Sequence, residues 1–144
     1  MTSTMSKSER EQFLAGLHVG VFSVAEEGRG PLTVPVWYAY EPGGEVAIWI
    51  GAESRKAQLL QVAERFTLCV QDEQPPYRYV SVEGPVSSVA PVNLEEDVRP
   101  LAQRYLGPEA AEPYLASLGG PAGVANDILV RMRPQRWYSA DFSS

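Results

Sequence analysis

Apolar positions recur along the chain at two spacings, one helical and one extended. In KSEREQFLAGL (residues 7–17), Phe13, Leu14 and Leu17 fall on one side of a helical turn, which predicts a short amphipathic helix. HVGVFSVA (18–25) is rich in β-branched and aromatic residues and predicts a strand. EEGRGP (26–31) predicts a turn. Its G-x-G is followed by Pro31 and a strand rather than by a helix, so it is not a dinucleotide fingerprint. LTVPVWYAY (32–40) and EVAIWI (45–50) flank EPGG, a hairpin signal. In these strands Val34, Val36 and Tyr38 face one way and Trp37 and Ala39 the other, so both faces are apolar. A sheet wet on one side alternates with polar residues. These strands are therefore expected to be covered twice.

Beyond the hairpin, residues 54–65 have helical spacing with Ser54 as the N-cap, and FTLCVQD (66–72) predicts a strand. Residues 75–92 predict a long strand, bent or bulged at Gly84-Pro85. LEEDVRPLAQRYLG and PEAAEPYLASLGG predict one or two helices, and NDILVRMRPQRWYSADF one or two closing strands. The chain shows no repeat and no linker. About six short strands with few helices predict a small, mainly β barrel, one domain over residues 1–144.

Composition narrows the function. Hydrophobic residues make up 44% and charged residues 21% of 144 positions, which is globular composition. No apolar run approaches the roughly 20 residues that span a bilayer, and MTSTMSKSEREQF has no apolar signal core. The single cysteine, Cys69, leaves no internal disulfide, and a cytoplasmic protein is expected. A net charge of −6 with no basic patch argues against nucleic acid as a partner. The basic residues are ten arginines and two lysines, Lys7 and Lys56.

Several chemistries lack their residues. One histidine (His18) and one cysteine cannot close a zinc site of the usual ligands, and each is expected to serve packing. Neither a G-x-S-x-G elbow nor a P-loop occurs. Glu95, Glu96 and Asp97 are expected to cap a solvated helix.

Ser54-Arg55-Lys56 stands out. Its cations lie at the positive end of a helix dipole, at a cost of roughly 0.3–1 kcal/mol each without a ligand. Free N–H groups at a helix start, reinforced by two cations, make an anion site. The alternative is that Glu53 and solvent offset them. Pro35, inside TVPVWY, donates no ladder bond, so its strand is interrupted or at an edge there. The hairpin then leads through Ile50-Gly51 to the helix start. An apolar pocket beside a phosphate clamp suits a nucleotide-like cofactor.

PVWY, AIWIGAESRKAQLL, TLCV and YRYVSVEGPV, in this order, resemble the split β-barrel flavin and deazaflavin oxidoreductases related to pyridoxamine 5′-phosphate oxidase. The resemblance runs from Phe13 to Val89, with an echo in MRPQRWY. It implies an α+β split barrel that binds FMN or a relative, and a homodimer with cofactor sites at the interface. Ser54, Arg55 and Lys56 would hold the cofactor phosphate. Val34, Pro35, Val36, Trp37, Ile50 and Gly51 would line the ring, and Tyr79 and Trp137 would complete the pocket from the partner subunit. RWYSADFSS lacks the arginine- and histidine-bearing substrate motif of the vitamin oxidases. The chain is closer to the actinobacterial branch that uses coenzyme F420, with FMN the alternative. The implied activity is hydride transfer from reduced F420 to a small organic acceptor that the sequence leaves unidentified. A non-catalytic flavin or tetrapyrrole carrier is the rival class. Tyr38, Tyr77 and Tyr79 are candidate proton donors, against a packing role.

Overall fold

The computed structural model describes residues 3–143. Helix α1 (Lys7–Ala15) opens with a reciprocal cap. The Ser6 hydroxyl accepts the Glu9 N–H, and the Glu9 carboxylate accepts the Ser6 N–H. The helix stops at Gly16, so Leu17 lies beyond it and is exposed.

Eight strands follow: β1 (Gly20–Val24), β2 (Leu32–Val36), β3 (Tyr38–Ala39), β4 (Val46–Gly51), β5 (Arg65–Gln71), β6 (Arg78–Pro91), β7 (Asp127–Met132) and β8 (Arg136–Asp141). Helix α2 (Arg55–Ala63) lies between β4 and β5. A π-helical turn (Leu94–Val98) leads into α3 (Arg99–Leu106), α4 (Pro108–Ser117) and the single turn α5 (Gly120–Gly123), all between β6 and β7. Asn93 caps the π-turn by accepting the N–H groups of Glu95 and Glu96, while Asp97 accepts the Asn93 N–H. The acidic cluster thus serves a helix start, as expected.

All pairings are antiparallel, in the order β2-β1-β5-β6-β7-β4-β3, with β8 also on β6. The two ends of this path, β2 and β3, are neighbours in sequence, separated only by Trp37. The sheet must therefore curl until its edges meet. β2 and β3 share no ladder, so the barrel is split along a seam at Trp37.

Strand β6 joins the two halves. Its first part pairs with β5 and β8, its second with β7, and the register slips between Val86 and Ser88. The expected bend at Gly84-Pro85 is real. A Cβ on Gly84 would lie 1.8 Å from the Arg133 carbonyl oxygen, so only glycine lets the two backbones approach.

The barrel interior is filled by Phe22, Tyr38, Ile48, Phe66, Leu68, Val80, Val82 and Met132, all essentially inaccessible to solvent. A second cluster lies outside the barrel, where Val98 and Ala102 meet Ala111 and Leu115 and receive Trp37 and Trp49.

Two sequence expectations change here. Residues 32–40 are two strands, because the chain crosses from one barrel edge to the other at Trp37. Pro35 does lie in an edge strand, where a missing donor costs no ladder bond. The double covering of the hairpin is also real, yet the outer cover over Trp37 and Trp49 is this chain's own helical pair. An amphipathic helix pair buries such a face as well as a second subunit does.

Candidate functional site

At the seam, β2 ends, β4 runs out toward α2, and β1 begins. Together they enclose a cleft of about 440 Å3 lined by Val19, Pro35, Val36, Trp37, Trp49, Ile50, Gly51 and Lys56. Six of the sequence-predicted residues meet here: Pro35, Val36, Trp37, Ile50, Gly51 and Lys56. The walls are apolar except for one cation, Lys56.

Ser54 is the N-cap of α2, as expected. Its hydroxyl accepts the Ala57 N–H at 3.2 Å and donates to the Gly51 carbonyl at 2.7 Å, tying the helix start to the end of β4. The Gln58 N–H goes to the Ser54 carbonyl, so the N–H groups of Arg55 and Lys56 remain without a partner among the described residues. The two cations differ. Arg55 pairs with Glu26 of the β1–β2 turn, whose side chain is 12% exposed. Lys56 is half-buried and faces the cleft, with no ion-pair partner among the described residues. The counter-charge is thus Glu26, on Arg55 alone, rather than Glu53 on both.

The remaining predicted residues lie elsewhere. Val34, opposite Phe22, packs against the barrel core and is not among the residues that line the cleft. Tyr79 and Trp137 share a different hollow with Arg10 and Tyr138, and the Arg10 guanidinium sits 4.7 Å over the Trp137 ring. Within one chain they do not reach the cleft.

Tyr38 is no free proton donor. It is fully buried, its hydroxyl donates to the Leu14 carbonyl at 2.5 Å, and burial pushes its pKa far up. Tyr77 is half exposed and lies outside the cleft. His18 donates Nε2–H to the Phe13 carbonyl at 2.9 Å and packs on the Phe13 ring, closing the end of α1. Cys69 sits half-buried in β5, and burial raises its thiol pKa, which keeps it protonated. His18 thus has the packing role expected of it, whereas Cys69 is in register with exposed Val21 on the outer face of the sheet.

Two cleft residues were not singled out in the sequence, Val19 and Trp49. Trp49 lies two residues before Gly51 on β4, so alternation alone puts both on the same face. Its indole N–H donates to Asp127 Oδ2 at 2.9 Å, which fixes the ring across the cleft floor. Val19 precedes β1 and lies beside Trp37 because Gly20 pairs with Val36 in the β1–β2 hairpin.

No family model matches the chain, and no curated protein matches it in sequence. Solved structures do match in shape. An F420 reductase superposes with a TM-score of 0.73 at 22% identity, over 89% of this chain and 94% of that one. An FAD-binding protein from Mesorhizobium loti gives 0.67 at 17%, over 98% and 96%. A Listeria innocua protein named for pyridoxamine 5′-phosphate oxidase gives 0.63 at 11%, over 90% and 96%. Identities at this level establish architecture. Together with the seam, the shared strand β6 and the helix at the end of β4, they show that the chain has the α+β split-barrel fold of the pyridoxamine 5′-phosphate oxidase-like proteins.

Proposed function

We infer that the chain is an oxidoreductase that holds a flavin-type cofactor in the seam cleft and serves hydride transfer from reduced coenzyme F420 to a small organic acceptor. The observation that carries this reading is an apolar cleft whose one charged lining residue, Lys56, stands beside an open helix start. Neighbouring structures of F420- and FAD-named proteins support the class of cofactor.

Lys56 and the N–H groups of Arg55 and Lys56 would hold a phosphate, with Arg55 available once it leaves Glu26. Pro35, Val36 and Trp37 form one wall, Ile50 and Gly51 another, and the missing side chain of Gly51 admits a flat ring close to the backbone. The cofactor supplies the hydride chemistry, so the chain needs to orient it, keep water out and leave one face open. FMN is the alternative cofactor. A non-catalytic flavin or tetrapyrrole carrier is favoured by one observation: the cleft lining includes no carboxylate, histidine or tyrosine.

The working unit in this reading is a homodimer, with the whole chain as one cofactor-binding domain. Register places Pro35, Val21, Cys69, Ser81 and Tyr138 in one outward row across β2, β1, β5, β6 and β8. Val21 and Tyr138 are exposed, and Val19 extends the patch to the cleft mouth. A second copy on this face would bury it and bring the partner's Tyr79, which shares the outward face with Ser81, toward the cleft. Trp137, opposite Val82, instead packs against the barrel core of its own chain. Among the described residues no helix is long and apolar enough to cross a membrane. A cytoplasmic place of work accords with the single cysteine.

The test is the absorbance spectrum of the purified protein, followed by fluorescence titration with F420 and FMN. Saturable binding of F420, with oxidation of the reduced form by a quinone or enone, is the expected result. Binding of FMN alone selects the alternative. Binding without turnover for any acceptor selects the carrier, and binding of neither cofactor refutes the reading.

A further inference from the structure

We propose that Tyr105, a residue of α3 outside the cleft, is a positioning residue for it: its ring sets the plane of Trp37 and its hydroxyl clamps the barrel seam. The proposal rests on the cofactor reading above only for its consequence in binding.

Three contacts converge on this side chain. The Tyr105 ring stacks on the Trp37 indole with centroids 5.1 Å apart and planes 4° from parallel, while Tyr114 of α4 tilts against the same indole at 5.7 Å. The Tyr105 hydroxyl donates to the His18 carbonyl at 2.7 Å and accepts the Tyr38 N–H at 3.1 Å.

Those two backbone groups are where the barrel is open. The Tyr38 N–H belongs to the residue at which the chain leaves one barrel edge for the other, and it bonds to Tyr105. A buried N–H in that position needs a partner. The His18 carbonyl immediately precedes Val19. The two residues adjoining these groups, Val19 and Trp37, both line the cleft. One hydroxyl therefore holds two cleft walls at a common distance, just beyond the last β1–β2 ladder pair, Gly20 and Val36, where the backbone pairing stops.

The ring acts separately from the hydroxyl. Trp37 is only half-buried, and an indole at a cleft edge with one free face has alternative rotamers. Packing against Tyr105 and Tyr114 removes them. Arg104, the preceding residue, donates to the Ala15 and Gly16 carbonyls at 3.1 and 2.6 Å. That anchors α3 to the end of α1 and fixes where Tyr105 stands.

The experiment compares Tyr105→Leu and Tyr105→Phe with Val70→Ala, a barrel-core change on β5 that supplies a loss of stability without touching the seam. Near-UV circular dichroism and acrylamide quenching of the ligand-free proteins, with Trp37→Phe to assign the signal, report the indole. Titrations with F420 and FMN report the cleft. Tyr105→Leu is expected to abolish the Trp37 near-UV band, increase its quenching and weaken binding of whichever cofactor the parent takes by about tenfold. Tyr105→Phe should keep the band and lose roughly threefold to tenfold through the missing hydroxyl. Val70→Ala should leave both readouts at the parent's values. An unchanged Trp37 signal in Tyr105→Leu, or an affinity loss no larger than that of Val70→Ala, overturns the proposal. If the parent binds neither cofactor, the functional reading falls, and the ligand-free spectra alone decide whether Tyr105 sets Trp37.

Discussion

Removing Lys56 tests the anion site most directly. Lys56 faces the cleft with no ion-pair partner among the described residues, so a bound phosphate gains its full charge-assisted contact. Such a contact is worth about 1.5–3 kcal/mol, so Lys56→Ala should weaken cofactor binding roughly 10- to 150-fold. Arg55 starts from a different state, because a phosphate must take it from Glu26. An ion pair this exposed on the arginine side contributes about 0–1 kcal/mol, which is subtracted from the gain. Arg55→Ala should therefore cost less than Lys56→Ala. Glu26→Gln should bind more tightly than the parent, by up to about fivefold. Ligand-free stability separates the two cations as well. Lys56→Ala should be neutral or slightly stabilising, since a cation leaves the positive end of the dipole. Arg55→Ala should destabilise, because the mostly buried Glu26 carboxylate loses its partner. Fluorescence titrations at two salt concentrations, paired with urea unfolding, measure all of this. If Lys56→Ala binds F420 and FMN like the parent, or if Glu26→Gln binds more weakly, the anion site is wrong.

Gly84→Ala should cost on the order of 3 kcal/mol or prevent folding, because its Cβ would overlap the Arg133 carbonyl; urea unfolding measures it, and a loss under ~1 kcal/mol contradicts the close approach. The raised pKa of Tyr38, from burial, predicts a pH dependence. A phenol that stays neutral in the fold but ionises near pH 10 when unfolded stabilises the protein below that pH. This stability is lost as pH rises above about 10 toward the folded pKa. Urea midpoints should fall over that range, less steeply in Tyr38→Phe. An identical slope in both proteins would remove Tyr38 as the cause. Val21→Glu, which places a charge in the centre of the outward row, should convert the proposed dimer to a 15.8 kDa particle in sedimentation. A parent that already sediments at that mass rules out the dimer.

Local patterning determined much of this protein. Alternation and propensity marked α1, α2, β5 and the long β6. The Gly84-Pro85 pair marked its bend, and Ser54 the start of α2. These are short-range matters of backbone sterics, turn chemistry and one-residue caps, and the sequence states them directly. The resemblance in PVWY and the Ser-Arg-Lys helix start named six residues that the fold places around one cleft. Tertiary structure alone decided the rest. The break at Trp37 follows from barrel closure, which no local preference in a run of apolar residues announces. The cover over Trp37 and Trp49 comes from helices more than forty residues later, and apolar surface does not encode which partner buries it. Glu26 meets Arg55, and Tyr105 meets Tyr38, only because curling brings distant segments side by side. Burial and hydrogen bonding are properties of a closed surface. They assign Tyr38 to the core and Lys56 to the cleft, although the sequence offers both as candidates.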